Sequence, residues 1–424
     1  MPYNLSTTNP EFENDFATVL NSKREDQADV TAAVAEIIAD VIRRGDDAVL
    51  ALTEKFDHIK AVSMQDLMLT ADDLSAAYDR IDDDLRTSLH LAADRITAFH
   101  EKQLPEDLRY QDDAGVGLGL RHTPVDAAGL YVPGGKAAYP SSVLMNAMPA
   151  KVAGVERRVM VVPTPYGEVS GMVLAAAHIA GISEVWTIGG AQAVAALAYG
   201  TASIKPVDKI VGPGNAFVAA AKRQVFGKVG IDSIAGPSEV LILADGDNNP
   251  DWIAIDLLSQ AEHDEAAQAI MITTDQDFAN AVAEAVDSII PTLERADVAG
   301  ASWRDHGAVI TVKDWDEGVD LANRIAAEHL EIITADPENI ASRVRHAGAI
   351  FLGPWTPEAI GDYVAGPNHV LPTARTSRFS SGLGVLDFMK RTTMVHCDAE
   401  ALAKIGHAAA TLAEAEGLLS LIHI

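Results

Sequence analysis

The chain has one cysteine, Cys397, among 424 residues. A single thiol excludes an internal disulfide, and with no CxxC pair it excludes a cysteine-clamped metal site. It is expected to be a small buried hydrophobe. Basic residues are also scarce, with 32 lysines and arginines against 61 aspartates and glutamates, a formal net charge of −29. That field repels a phosphate backbone, so no nucleic-acid partner is expected. It reads as a solubility device for a salty cytoplasm rather than as steering for cationic substrates. No apolar run reaches the ~18 residues of a membrane span. The opening stretch MPYNLSTTNPEFENDF has neither the basic start nor the apolar core of a signal peptide, so a cytoplasmic protein with no membrane partner is expected. Low-complexity tracts, coiled-coil heptads, internal repeats and the G-x-G-x-x-G dinucleotide fingerprint are missing as well.

What is present is a globular composition, 48% hydrophobic and 22% charged, in a chain long enough for about two major units. Val34, Ile37, Ile38 and Val41 recur at helical spacing before Gly45, so residues 1–128 are expected to be mostly helical and to pack partly with the second of two α/β units. From Glu156 to Gly236 short apolar runs (RRVMVVPT, EVWTIGG, DKIVGPG) alternate with alanine-rich amphipathic stretches, the mark of a parallel sheet with crossover helices. A second such series begins at EVLILAD, and its first helix is signalled by Asn249 as cap and Pro250 at the first helical position. The resulting units are 129–238 and 239–380, both α/β. Residues 381–424 end in an alanine-rich helix from about Ala399 to Gly417.

Ligands of such sheets bind beyond the carboxyl ends of strands, so strand-to-helix turns carry most weight. Gly189–Ala193 (GGAQA) and Gly212–Phe217 (GPGNAF) are turns of this kind, each with an ordinary tight turn as the alternative. The Gly- and Pro-rich loop Gly129–Ser142, with Tyr131 and Tyr139, suits either a nucleotide cover or an interdomain linker. Gln260 and His263, three apart on a helix, share a face and can grip one ion, although a histidine near a helix end often only caps it. Glu328 and His329 place a carboxylate and an imidazole at the start of the run EHLEI, either as catalytic groups or as a surface pair. The segment Gly361–Thr373 holds Asp362 and His369 and is too rich in Gly and Pro to be helical throughout. A metal with nitrogen and oxygen ligands would suit Gln260, His263 and Asp362, but spacing alone does not select these three.

Taken together and in order, GLYVPGGKAAYPSSVLMNAMPAKVAGV, IGGAQAVAALAYGT, VDKIVGPGNAFVAAAKRQVFG, IAGPSEVLILAD, DLLSQAEHD, EHLEI, GDYVAGPNHVLPT and SSGLGVLDFMKRT closely resemble the histidinol dehydrogenase family. The resemblance implies a homodimer of chains with two incomplete Rossmann-like domains and an atypical NAD⁺ site, consistent with the missing fingerprint. It implies oxidation of L-histidinol to L-histidine, the last steps of histidine biosynthesis, with NAD⁺ and one zinc ion per subunit. By resemblance Gln260, His263 and Asp362 are zinc ligands that also hold the substrate. Ser238, His329, His369 and Glu416 are further substrate contacts, Glu328 and His329 the acid/base pair, and Tyr131, Gln192 and Asn215 contacts to NAD⁺.

The tail departs from the family pattern. The family's last zinc ligand is a histidine five residues after the glutamate that corresponds to Glu416, contributed by the partner subunit; here that position is Leu421. His423 is out of register by two, and the final LSLIHI reads as a non-native fusion scar over 419–424. The rival expectations are a sister NAD⁺-dependent dehydrogenase acting on another small alcohol such as a sulfonated diol, and a metal-binding protein inactive through its altered tail.

Overall fold

The computed structural model describes residues 2–21, 30–134, 139–234, 236–418 and 420. Fifteen strands run through them: β1 (Tyr3–Ser6), β2 (Met68–Leu69), β3 (Leu108–Gln111), β4 (Gly117–Pro124), β5 (Ala127–Tyr131), β6 (Arg157–Val161), β7 (Glu184–Trp186), β8 (Lys209–Val211), β9 (Gly230–Ile231), β10 (Glu239–Ala244), β11 (Gln268–Thr273), β12 (Ala308–Thr311), β13 (His329–Ile333), β14 (Ala349–Leu352) and β15 (Met389–His396). They form two six-stranded sheets, β2-β7-β6-β5-β8-β9 and β1-β12-β11-β10-β13-β14, and a three-stranded ribbon, β15-β4-β3. The second large sheet is parallel throughout, and in the first only β2 runs against its neighbour. The protein is therefore α/β.

The strand sequences explain this. Every residue of β5, β10 and β11 is buried, as expected of parallel strands covered by helices on both faces. Alternate side chains feed opposite layers: in β10 Leu241 and Leu243 join one core, and Val240, Ile242 and Ala244 the other. Val159 and Val161 of β6 are parted from Met160 in the same way.

The N-terminal region is shared rather than separate. β1 pairs with β12, and Phe12, Phe16 and Val19 enter a core of the second sheet. Val34, Ile38 and Val41, from the helix Thr31–Arg44, pack on the first. The region also holds β1 to β4, which the mainly helical expectation left out. β2 has two residues and β1 and β3 four each, too short to show a period, and β4, GLGLRHTP, is only partly buried, so no strong apolar alternation marks it. β15 pairs with β4 over eight residue pairs and is half-buried or exposed throughout, so Cys397 just beyond it is half-buried, not the fully buried thiol expected.

One feature of this topology places the site. From β5 the chain steps to β6 and β7 on one side, then returns to β8 and β9 on the other, leaving a switch-point crevice between the carboxyl ends of β5 and β8. At that crevice Gly212 has φ +112°, and a Cβ there would stand 2.0 Å from the Tyr131 carbonyl oxygen. Only glycine allows so close an approach.

Candidate active site

The catalytic candidates gather at the amino edge of the second sheet. β10 and β13 are neighbours with Val240 opposite His329, so Ser238, Glu239, Glu328 and His329 lie side by side where these strands begin. The helix Pro250–Ala261, started by Asn249 accepting from the Asp251 N–H, follows β10 and leads back to β11, which brings Gln260 and His263 to the same edge. A short helix, Glu358–Tyr363, carries Glu358 and Asp362 four residues apart. The loop beyond it is anchored by Asn368 donating to the Met145 carbonyl at 2.6 Å, and it presents His369. The general expectation that carboxyl ends carry the site is thus corrected for the second sheet, while Glu328 and His329 stand at the start of their strand, as their place at the start of the run EHLEI implied. In the second sheet they precede their strands, and it is the first sheet whose carboxyl edge, with Gly212 and Pro213, faces them.

A cavity of about 190 Å³ lies between the two edges and is lined by Ser238, Gln260, His263, Glu328, His329, Asp362 and His369, all seven from the sequence reading. His329 Nε2 is 3.3 Å from Asp362 Oδ1. Its Nδ1 is 3.3 Å from the Glu239 carbonyl and 3.8 Å from Glu328 Oε2. Glu328 accepts the Glu239 N–H at 3.1 Å. His369 Nδ1 meets the Asp362 carbonyl at 3.0 Å, and its Nε2 lies 3.5 Å from Ser142 Oγ.

Burial pushes the Glu328 carboxyl up to about 7, against the pull of neighbouring His329. Burial alone would lower His329, but the Glu358, Glu328 and Asp362 carboxylates outweigh it and raise the imidazole well above its ordinary value. Burial lowers His369, and it also lowers His263.

The donor set suits a cation. Gln260 is fully buried, yet its Oε1 has no hydrogen-bond partner, while its Nε2 contacts His263 Nδ1 at 3.1 Å. Such an orphan acceptor is costly unless an ion or ligand satisfies it. Amide oxygen, imidazole nitrogen and the carboxylate of Asp362 are the ligand types of a borderline divalent metal. His329, Glu358 and Asp362 also place one ligand atom each within 4.8 Å of one another.

On the first-sheet side, Tyr131 and Gln192 are buried and Asn215 is exposed. The Tyr131 hydroxyl accepts the Gly190 N–H at 3.0 Å, and burial pushes its pKa up to about 12. Asn215 caps the helix Ala216–Val225, accepting from Phe217 and Val218 at 3.1 and 3.2 Å. Tyr131 ends β5 and Asn215 follows β8, so both stand at the switch-point crevice, whereas Gln192 follows β7; none of the three lines the cavity itself, to which Gly212 and Pro213 belong. Glu416 is exposed just past the helix Ala399–Ala415 and does not line the cavity of its own chain. Leu421 and His423 lie outside the described residues.

Sequence reasoning missed Glu358, Lys222 and Asp232. The last two line the cavity, and Glu358 is raised to about 8 by burial. The i, i+4 carboxylates Glu358 and Asp362 were a readable signal; the lysine ten residues from its partner was not.

Beneath His329, Glu331 on the same face of β13 is fully buried, and burial followed by the charge of Asp256 holds its carboxyl well above the usual range. A raised carboxyl stabilises the fold at low pH, and that contribution is lost as pH climbs through the raised value. Glu331→Gln, neutral at every pH, should flatten the fall in Tm as pH rises above the ordinary carboxylate range. Parallel Tm curves for the two proteins would show that Glu331 carries no such load.

Fold and site together define an α/β enzyme with a buried carboxylate–imidazole pair between two parallel sheets, one of which offers a nucleotide-type switch point. The family model for histidinol dehydrogenase matches residues 20–421. Histidinol dehydrogenase of Ruegeria pomeroyi is 63% identical over 418 residues, covering 99% of this chain and 96% of the relative. That of Rhodospirillum rubrum is 62% identical over 419 residues, with the same coverage. The crystal structure of histidinol dehydrogenase from Elizabethkingia anophelis superposes with a TM-score of 0.94 at 31% identity, covering 100% of this chain and 96% of that one. The chain belongs to the histidinol dehydrogenase family, and it is an oxidoreductase. Among the described residues no helix is long and apolar enough to cross a membrane.

Proposed function

We propose that the protein oxidises L-histidinol through L-histidinal to L-histidine, using two NAD⁺ and one zinc ion per subunit, as a cytoplasmic homodimer at the end of histidine biosynthesis. The observation that carries this reading is one cavity holding both the buried Glu328–His329 pair and the partner-free Gln260 oxygen beside His263 and Asp362. When bound by Gln260, His263 and Asp362, zinc would anchor the imidazole and amine of the substrate as a template. NAD⁺ would supply the hydride acceptor for both oxidations.

The residues divide the remaining work. With His329 Nδ1–H directed at the Glu239 carbonyl, Nε2 is the nitrogen on the Asp362 side, and it would take the proton of the substrate hydroxyl once Asp362 is committed to the metal and its charge no longer holds the imidazole protonated. Glu328, poised at about 7, is placed to take a proton from the water that adds to the aldehyde. Ser238 and His369 contact the substrate, joined by Glu416 of the neighbouring subunit. His369 is fixed for this by the Asp362 carbonyl and Ser142. Tyr131, Gln192 and Asn215 receive NAD⁺ at the switch point. Enclosure between two sheet edges keeps the reactive aldehyde from solution.

Stripping the protein with a strong chelator tests the metal reading. Histidinol binding and NADH production should disappear together and return together with added zinc. Full histidinol binding by metal-free protein would overturn it.

A further inference from the structure

Lys222 is 2% exposed, in the middle of an otherwise apolar helix face. Its Nζ donates to the Gly212 carbonyl at 2.9 Å and is ion-paired with Asp232, also buried, just past the edge strand β9. The other oxygen of Asp232 accepts the Gly212 N–H at 2.8 Å. One ion pair therefore holds both backbone polar groups of a single glycine.

Stability alone is a weak reason to bury such a pair, because desolvating two charges offsets most of their attraction, and fixing one arrangement among several is a better-attested use. Here the arrangement is the turn Gly212–Asn215. Gly212 is pressed on the Tyr131 carbonyl at φ +112°, and the next residue, Pro213, has its φ set by its ring. With Gly212 tied at N–H and C=O, its flanking peptide planes cannot flip, and the turn meets the crevice in one shape. Lys222 and Asp232 also line the cavity, so the clamp stands where the crevice opens onto Glu328 and His329.

We infer that Lys222 and Asp232 are positioning residues for NAD⁺, holding the Gly212–Asn215 turn in the shape that receives the dinucleotide. They act through the turn and have no part in proton transfer. The inference rests on the NAD⁺ reading above.

Two variants test it in the full-length, zinc-loaded protein. Asp232→Asn keeps an acceptor for the Gly212 N–H but leaves the buried ammonium uncompensated. Lys222→Met/Asp232→Asn removes both charges and so avoids that penalty. Both should raise KM for NAD⁺ about tenfold or more, the scale of a lost buried polar contact, while KM for histidinol and zinc content stay within about twofold. An unchanged KM for NAD⁺ in folded variants overturns the inference alone. So does loss of fold in both, or a parallel loss of zinc and histidinol affinity, since each shows a general structural role. A parent protein that reduces no NAD⁺ with histidinol overturns the cofactor reading itself, and this inference with it.

Discussion

Replacing His329 with asparagine is expected to lower turnover of histidinol by about 10² to 10⁴, the usual loss on removing a general base. Histidinol affinity should stay near that of the parent. The two effects separate because proton transfer falls to His329 Nε2, whereas substrate is held by the group at Gln260, His263 and Asp362. Asparagine is small enough for the site, and His329 is only 3% exposed, so solvent has little access to replace the lost base. Single-turnover kinetics and equilibrium binding on the same preparation decide the point. Near-normal turnover would remove His329 from the mechanism, and loss of histidinol binding alongside turnover would make it a ligand instead.

Glu328→Gln should divide the two oxidations. Only addition of water to the aldehyde calls on that carboxylate, so oxidation of supplied histidinal should fall by about 10² or more while oxidation of histidinol to the aldehyde is largely spared. The sign of the pH dependence follows from burial. A base must be deprotonated to act, and Glu328 is pushed up to about 7. Histidinal oxidation by the parent should therefore rise as pH climbs through about 7, and that inflection should be absent in the variant. A variant that oxidises histidinal as fast as the parent would give Glu328 another role.

Much of this arrangement was legible in the sequence because it rests on local rules. Runs such as EVLILAD and AIMITTD announce strands buried on both faces, and Asn249–Pro250 starts its helix where capping predicts. The three-residue step from Gln260 to His263 reads as one helix face; the helix ends at Ala261, and a turn closed by the His263 N–H on the Gln260 carbonyl brings the two side chains together instead. What stayed hidden depends on how sheets face each other. Periodicity says which face of a strand is buried, not which edge of its sheet meets a neighbour, so the start of EHLEI could be read as holding Glu328 and His329 but not as facing the carboxyl edge of the other sheet. The ribbon joining β4 to β15 pairs strands that are half-buried or exposed almost throughout, and such strands leave little apolar signature. Lys222 comes from a helix and Asp232 from just past an edge strand, and nothing local marks them as partners.

The central claim is a double oxidation in one site, and product stoichiometry tests it most directly. With zinc-loaded protein and limiting L-histidinol, NADH and L-histidine should form in a ratio of two to one with no free histidinal. One NADH per histidinol with aldehyde accumulating, or no NADH at all, would contradict it.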